Sequence, residues 1–114
     1  MTKKQLHFDL LRKLEANPEY TQRALAKEMG ISLGQVNYCI NKLIDKGLVK
    51  FKNFKRSSNK VRYIYLLTPK GIELKGKMTF DFLRLKMKEY EALKKEIIQL
   101  QEDTIKLTTK EINK

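Results

Sequence analysis

The residues with the most chemistry to offer lie in one short stretch. Ser32, Gln35, Asn37, Tyr38, Asn41 and Lys42 fall within eleven positions of "SLGQVNYCINK". An amide side chain presents a donor and an acceptor side by side. That pairing suits the edge of an adenine base, and a lysine at the same surface reaches a guanine or a phosphate. The same stretch supports no reaction. "GISLGQV" lacks the Gly-Lys-Ser/Thr of a phosphate-binding loop. One histidine, His7, and one cysteine, Cys39, do not make a zinc site. No convergent set of titratable residues appears, so the reading is of a binding protein and not an enzyme, with no metal and no cofactor.

The elements that must hold those side chains follow from local signals. Leu6, Leu10, Leu11 and Leu14 make an apolar stripe that predicts a helix from Lys3 to Ala16. Pro18 ends it, because a proline disfavours helix at the residue before it. Thr21 is placed to cap a second helix, "QRALAKEM", and Gly30 to close it in the left-handed conformation. Two residues on, Ser32 caps a third helix over about Leu33 to Lys46, with Gly47 behind it. On a helical wheel Leu33, Val36, Ile40, Leu43 and Ile44 point inward. Gly34, Gln35, Tyr38, Asn41 and Lys42 lie opposite, with Asn37 at the margin. A glycine at position 34 would let the helix N-terminus, with its free N–H groups, come close to a phosphate.

"LVKFKNF" and "VRYIYLL" then flank the polar "KRSSN", which reads as a β-hairpin. Thr68 and Pro69 open a helical pattern that continues nearly to the C-terminus. The order is helix, helix, tight turn, helix, hairpin, long helix. The expected fold class is mainly α with a small β-hairpin: a winged helix-turn-helix over residues 1–70, then a long C-terminal helix over residues 71–114. In such a motif the helix after the turn enters the major groove of double-stranded DNA.

Charge agrees with that partner. Among 114 residues, 25 Lys and Arg face 13 Asp and Glu, a formal charge of +12. Too few acids exist to neutralise the excess internally, which points to nucleic acid or another anionic surface. The charge is also clustered. Residues 42–62 hold eight basic side chains against Asp45 alone. Of these, Lys52, Lys55, Arg56, Lys60 and Arg62 lie on the hairpin and are the candidates for contact with the DNA backbone or minor groove. The plainer reading of such a run is a solvated hairpin. No secretory leader is expected, no run of about 18 apolar residues exists to span a bilayer, and a single cysteine fits a reducing, cytoplasmic setting. Cys39 beside the inward face of the third helix is expected to be packed in the core, and His7 to lie at the surface.

The arrangement "TQRALAKEMGISLGQVNYCINKLIDKGLVK", then a hairpin, then "LLTPKG", resembles the MarR family of bacterial winged-helix transcription regulators. "VNYCINKLIDKGLVKFKNF", "YIYLLTPKGIELK" and "EYEALKKEI" are similar to the branch associated with exopolysaccharide gene clusters. The resemblance implies a dimeric DNA-binding regulator. It carries the base-reading role onto Ser32, Gln35, Asn37 and Tyr38 and the backbone role onto the wing. At the wing tip this chain reads "NFKRSSNK" where the family usually has Asp-x-Arg.

The C-terminal segment repeats Tyr90, Leu93, Ile97, Leu100, Thr104 and Leu107 at alternating spacings of three and four. That is a heptad seam, with Tyr90, Ile97 and Thr104 at a positions and the leucines at d. Tyr90, Leu93, Ile97, Leu100 and Leu107 are therefore the candidate dimerisation residues, the alternative being a helix folded back on its own core. A homodimer would place two recognition helices on a pseudo-palindromic operator. Two other classes remain open on sequence alone: an assembly adaptor built on the same motif, and a sequence-neutral nucleic-acid packaging protein.

Overall fold

Thr2, Thr21 and Ser32 each adopt extended backbone, and each side-chain oxygen accepts a hydrogen bond from the backbone N–H three residues on. Those caps satisfy N–H groups that a helix start leaves without partners. They set the starts of α1 (Lys3–Ala16), α2 (Gln22–Met29) and α3 (Leu33–Asp45). At Thr2 the cap is reciprocal, since Gln5 returns its Oε1 to the Thr2 N–H. Gly30 and Gly47 end α2 and α3 with φ of 66° and 72°, a region that costs glycine nothing. The computed structural model describes residues 2–56 and 60–112, with side chains 54–56 and 60–62 excepted.

After α3 the chain forms an antiparallel hairpin, β1 (Val49–Arg56) and β2 (Lys60–Leu67), in the register Val49 opposite Leu67 and Phe51 opposite Tyr65. Helix α4 (Pro69–Ile112) follows. Its start is tied to the end of α3. Thr68 donates its hydroxyl to the Gly47 carbonyl at 2.6 Å and accepts from the Gly71 N–H at 3.0 Å, while the Thr68 N–H reaches the Leu48 carbonyl at 3.0 Å. Gly71 is required there, because a Cβ at this position would fall on the Leu48 carbonyl oxygen.

The chain divides into two units, Met1–Met78 and Thr79–Lys114. The first has a core. Leu10, Leu11, Leu14, Leu25, Val36, Ile40 and Leu43 are fully buried, and Cys39, Val49 and Met78 nearly so. Each large apolar side chain taken from water contributes roughly 1.5–3 kcal/mol, so three short helices suffice when all present a stripe to the same centre. Phe8 joins that core, with the Arg12 guanidinium 5.5 Å from its ring centroid. Ion pairs from Lys13 to Glu28 and from Lys75 to Glu15 lie at its edges. The second unit is helical from Thr79 to Ile112, and Tyr90, Leu93, Ile97, Leu100 and Leu107 are all exposed on it.

Two expectations are corrected. Leu33, expected inward, is 42% exposed. It is the first residue of α3 and lines a groove with Phe51, Tyr63 and Tyr65 of the hairpin instead. His7, expected at the surface, is half-buried, with Nε2 out of contact with solvent and without a hydrogen-bond partner. Burial, then the charges of Lys46, Lys3 and Lys42, lower its pKa. Cys39 is in the core as expected, and burial raises its thiol pKa against a smaller opposing pull from Lys3. A thiol held protonated is a poor nucleophile.

Candidate nucleic-acid interface

Helix α3 has two faces. Val36, Cys39, Ile40 and Leu43 bury one. The other carries Gly34, Gln35, Tyr38 and Asn41, all exposed, with Asn37 and the cap Ser32 also exposed and Lys42 half-buried. The first face fixes the second: with four buried side chains spread over two turns, α3 cannot rotate without emptying the core. The polar row is therefore held in place by apolar packing on its far side.

The row is also organised along its own length. The Lys42 Nζ sits 5.6 Å from the centroid of the Tyr38 ring, one turn earlier. At an exposed site such a cation–π interaction contributes about 0.5–1 kcal/mol, enough to bias the ammonium toward the ring. Asn41 donates its Nδ2 to Asn37 Oδ1 at 3.2 Å, also one turn apart. Asn37 in turn donates its Nδ2 to Gln22 Oε1 at 3.3 Å, across to the start of α2. Gln22 donates its Nε2 to the Tyr65 hydroxyl at 2.9 Å, in β2. Neither Gln22 nor Tyr65 stands out in the sequence as part of this surface. Gln22 lies 15 residues from Asn37 and 43 from Tyr65, and nothing in a local pattern joins them.

At Gly34 an added Cβ would meet no atom within 4 Å. The protein's own packing thus supplies no reason for glycine there. The N-terminal turn of α3 is open, and Ser32 satisfies one of its N–H groups, that of Gln35.

The wing is fixed at its base. Tyr65 is buried, and its N–H reaches the Pro18 carbonyl at 3.3 Å. Phe51 stacks on Tyr63 with centroids 5.2 Å apart and tilts against Tyr65 at 5.7 Å. Between this aromatic face and the starts of α2 and α3 runs an open groove of about 710 Å³, with Tyr20, Gln22, Leu33, Phe51, Tyr63 and Tyr65 among its walls. Lys52 is exposed on β1. The side chains of Lys55, Arg56, Lys60 and Arg62 lie outside the described residues. Their backbones belong to the two strands, with Arg56 opposite Lys60 and Phe54 opposite Arg62.

Among the described residues no group of three or more His, Cys, Asp or Glu side chains gathers to hold a metal ion. No helix among them is long and apolar enough to cross a membrane.

Comparison with known proteins bears on this geometry. Residues 3–50 match the family described as winged helix-turn-helix DNA-binding. No curated protein matches the chain. Among solved structures it is similar to a PadR-like transcription factor from Bacteroides fragilis, with a TM-score of 0.61 and 20% identity over 75% of this chain and 87% of that one. A transcriptional regulator homologue from Pyrococcus horikoshii gives 0.57 and 16% over 71% and 79%. FabT of Streptococcus pneumoniae, in complex with DNA, gives 0.51 and 22% over 82% of this chain and 58% of that one. At these identities the likeness is one of fold. Helices α1 to α3 with the hairpin behind them form a winged helix-turn-helix domain, and a long helix follows it.

Proposed function

We propose that the protein is a DNA-binding transcription regulator that reads base edges with the start of α3 and grips the backbone with its wing. The observation that carries this is the exposed row Ser32, Gln35, Asn37, Tyr38 and Asn41 on the face of α3 opposite its buried side. An adaptor that docks proteins on this helix would be expected to expose apolar side chains there. The formal charge of +12 supplies the attraction that brings such a face to DNA. The match of residues 3–50 to a DNA-binding family, and the FabT structure solved with DNA, support the same reading.

The narrower parts of the proposal rest on sequence resemblance and pattern. The regulator is of the MarR type and acts in the cytoplasm. It works as a homodimer through Tyr90, Leu93, Ile97, Leu100 and Leu107, and controls exopolysaccharide genes. Selection of bound fragments from genomic DNA tests these together, since it reports sequence preference, half-site spacing and neighbouring genes. A two-fold reader should enrich two half-sites about one helical turn apart, ~34 Å, or a multiple of it. Enrichment of no sequence would leave a packaging protein as the reading. For the residues themselves, Gln35→Ala should weaken binding to a selected duplex more than to randomised DNA, by roughly 1–3 kcal/mol for a bidentate base pairing. Alanine at Lys55, Arg56 and Lys60 should lower the salt slope by about 0.9 for each phosphate no longer neutralised, on both kinds of DNA.

A further inference from the structure

The hydrogen bonds that cross from β2 through α2 to α3 form one continuous chain: Tyr65 hydroxyl, Gln22 amide, Asn37 amide, Asn41 amide. We propose that Gln22, anchored by Tyr65, is a specificity-determining positioning residue, which sets the orientation in which Asn37 and Asn41 present their amides to DNA. The inference rests on the proposed reading of α3 as the recognition helix, and it adds two residues that lie outside that helix, one on α2 and one on β2.

An amide can be turned by half a rotation, which exchanges its oxygen and nitrogen at almost no steric change. A free asparagine on an exposed helix therefore offers two hydrogen-bond patterns, and in a given docking only one of them matches a given base edge. In this chain two of the three amide oxygens meet the nitrogen of a neighbouring amide. Asn41 Nδ2 meets Asn37 Oδ1, and Asn37 Nδ2 meets Gln22 Oε1. Turning any one amide alone would set nitrogen against nitrogen or oxygen against oxygen. The three must therefore turn together, and because a tyrosine hydroxyl both accepts and donates, that concerted turn also requires Tyr65 to change from acceptor to donor. Gln22, half-buried at the first residue of α2, rests its Nε2 on this hydroxyl, whose ring is in the core. Asn37 keeps one N–H and one lone pair free of the chain, and Asn41 keeps one N–H and its whole oxygen. These are the groups left to meet a base. The wing, through Tyr65, thereby has a physical connection to the base-reading helix.

Tyr65→Phe separates this role from simple contact, because Tyr65 is buried and the change removes only an oxygen. The probes are a duplex enriched by the wild-type protein from a randomised pool and the randomised pool itself. Expected are an unchanged affinity for the pool and a loss of discrimination on the order of tenfold, at the low end of what one bidentate base pairing supplies. The loss should fall on the base pairs whose readout Asn37→Ala also relaxes. Gln22→Leu should do the same, and Gln22→Leu combined with Asn37→Ala should be no worse than Asn37→Ala alone. In the free protein, the side-chain amide resonances of Asn37 and Asn41 should shift in Tyr65→Phe while those of Gln35 stay in place. Unmoved resonances with full discrimination in a folded Tyr65→Phe would overturn the proposal. So would fully additive losses in the double variant. A wild-type protein that enriches no sequence would instead overturn the reading of α3 as a base reader, and would do so whatever the resonances show.

Discussion

Leu10 and Leu14 on α1 and Leu93 and Leu100 on α4 are the same residue type at comparable helical spacing, yet their surroundings are opposite. The first two are fully buried, whereas Leu93 is 55% and Leu100 64% exposed. Both helices are amphipathic. In Met1–Met78 the stripes of α1, α2 and α3 are buried together, whereas on the helix of Thr79–Lys114 the residues Leu93, Ile97 and Leu100 are exposed. An apolar stripe therefore states that a surface is to be covered, and leaves open whether the cover comes from the same molecule. The proposed cover is a second copy of the same helix, because Leu93, Leu100 and Leu107 recur every seven residues with Tyr90, Ile97 and Thr104 between them.

Substitution within the seam should have the greatest consequence. Glutamate at Leu93, Ile97 and Leu100 together should convert the proposed dimer to a monomer. Full burial of such a side chain from full exposure contributes roughly 1.5–3 kcal/mol, and these three, 46–64% exposed, have about half of that to gain. Losing three from each of two copies is therefore comparable with the ~8 kcal/mol of micromolar association, and a glutamate left in the seam adds the cost of burying a charge. Sedimentation gives the oligomeric state, and circular dichroism checks that the first unit still folds. A folded variant that stays dimeric would move the interface elsewhere. Thr104, Thr108 and Thr109 return their hydroxyls to the carbonyl four residues back, which weakens a helix slightly. Hydrogen exchange should accordingly be fastest toward the C-terminal end of the seam.

Next in size is Gly71→Ala, which acts on the first unit alone. The added Cβ collides with the Leu48 carbonyl, a backbone group that is itself bonded to the Thr68 N–H. The cost should be at least the ~1–3 kcal/mol of ordinary overpacking, seen as a lower midpoint in thermal unfolding. Gly76→Ala, where an added Cβ meets nothing within 4 Å, serves as the control and should be stable.

Gly71 also marks where the sequence stops being informative. The bounds of α1 and α2 follow from residues inside or beside them: Thr21 and Gly30 act through bonds three or four residues long. The third helix ends one residue sooner than its pattern suggests, at Asp45, because Lys46 and Gly47 form the turn that closes it. The Thr68 cap was legible for the same local reason, whereas Gly71 answers to a carbonyl 23 residues earlier. Leu33 has an inward position on the wheel, but a wheel has no ends, and the first residue of a helix can extend beyond its neighbours. The polar row of α3 was legible because burial on one face implies exposure on the other. Its tie to Gln22 and Tyr65 was not, since it depends on how three elements meet.

Gly34→Ala should have a smaller effect, and opposite signs in two measurements. Glycine in a helix is about 0.5–1 kcal/mol less favourable than alanine, the lower figure suiting a first turn. With no atom within 4 Å of the new Cβ, thermal unfolding should shift upward by a few degrees. DNA binding should weaken, because the methyl group would stand between the N-terminal turn of α3 and the backbone it approaches. A variant both more stable and equally tight on DNA would show that this turn stays clear of the duplex.

The smallest effect concerns pH and sharpens the contrast between the units, since His7 is the chain's one histidine and lies in the first. Its pKa in the folded chain is lowered from 6.5 by burial first and then by Lys46, Lys3 and Lys42. Below pH 6.5 the unfolded chain binds a proton that the folded chain still refuses. Stability rises with pH wherever the unfolded state holds more protons. The His7 contribution is therefore fully present above 6.5 and declines as the pH falls from there toward the folded pKa. The carboxyl of Glu28, lowered by its bonds to Tyr20 and Lys13, acts on the acid side of 4.5 and leaves the His7 window clear. Unfolding of the wild type and of His7→Gln, followed between pH 8 and pH 5, isolates the effect. The wild type should lose stability across the lower half of that range while His7→Gln changes less. Parallel curves would mean that the half-buried imidazole accepts its proton in the folded chain as readily as in the unfolded one.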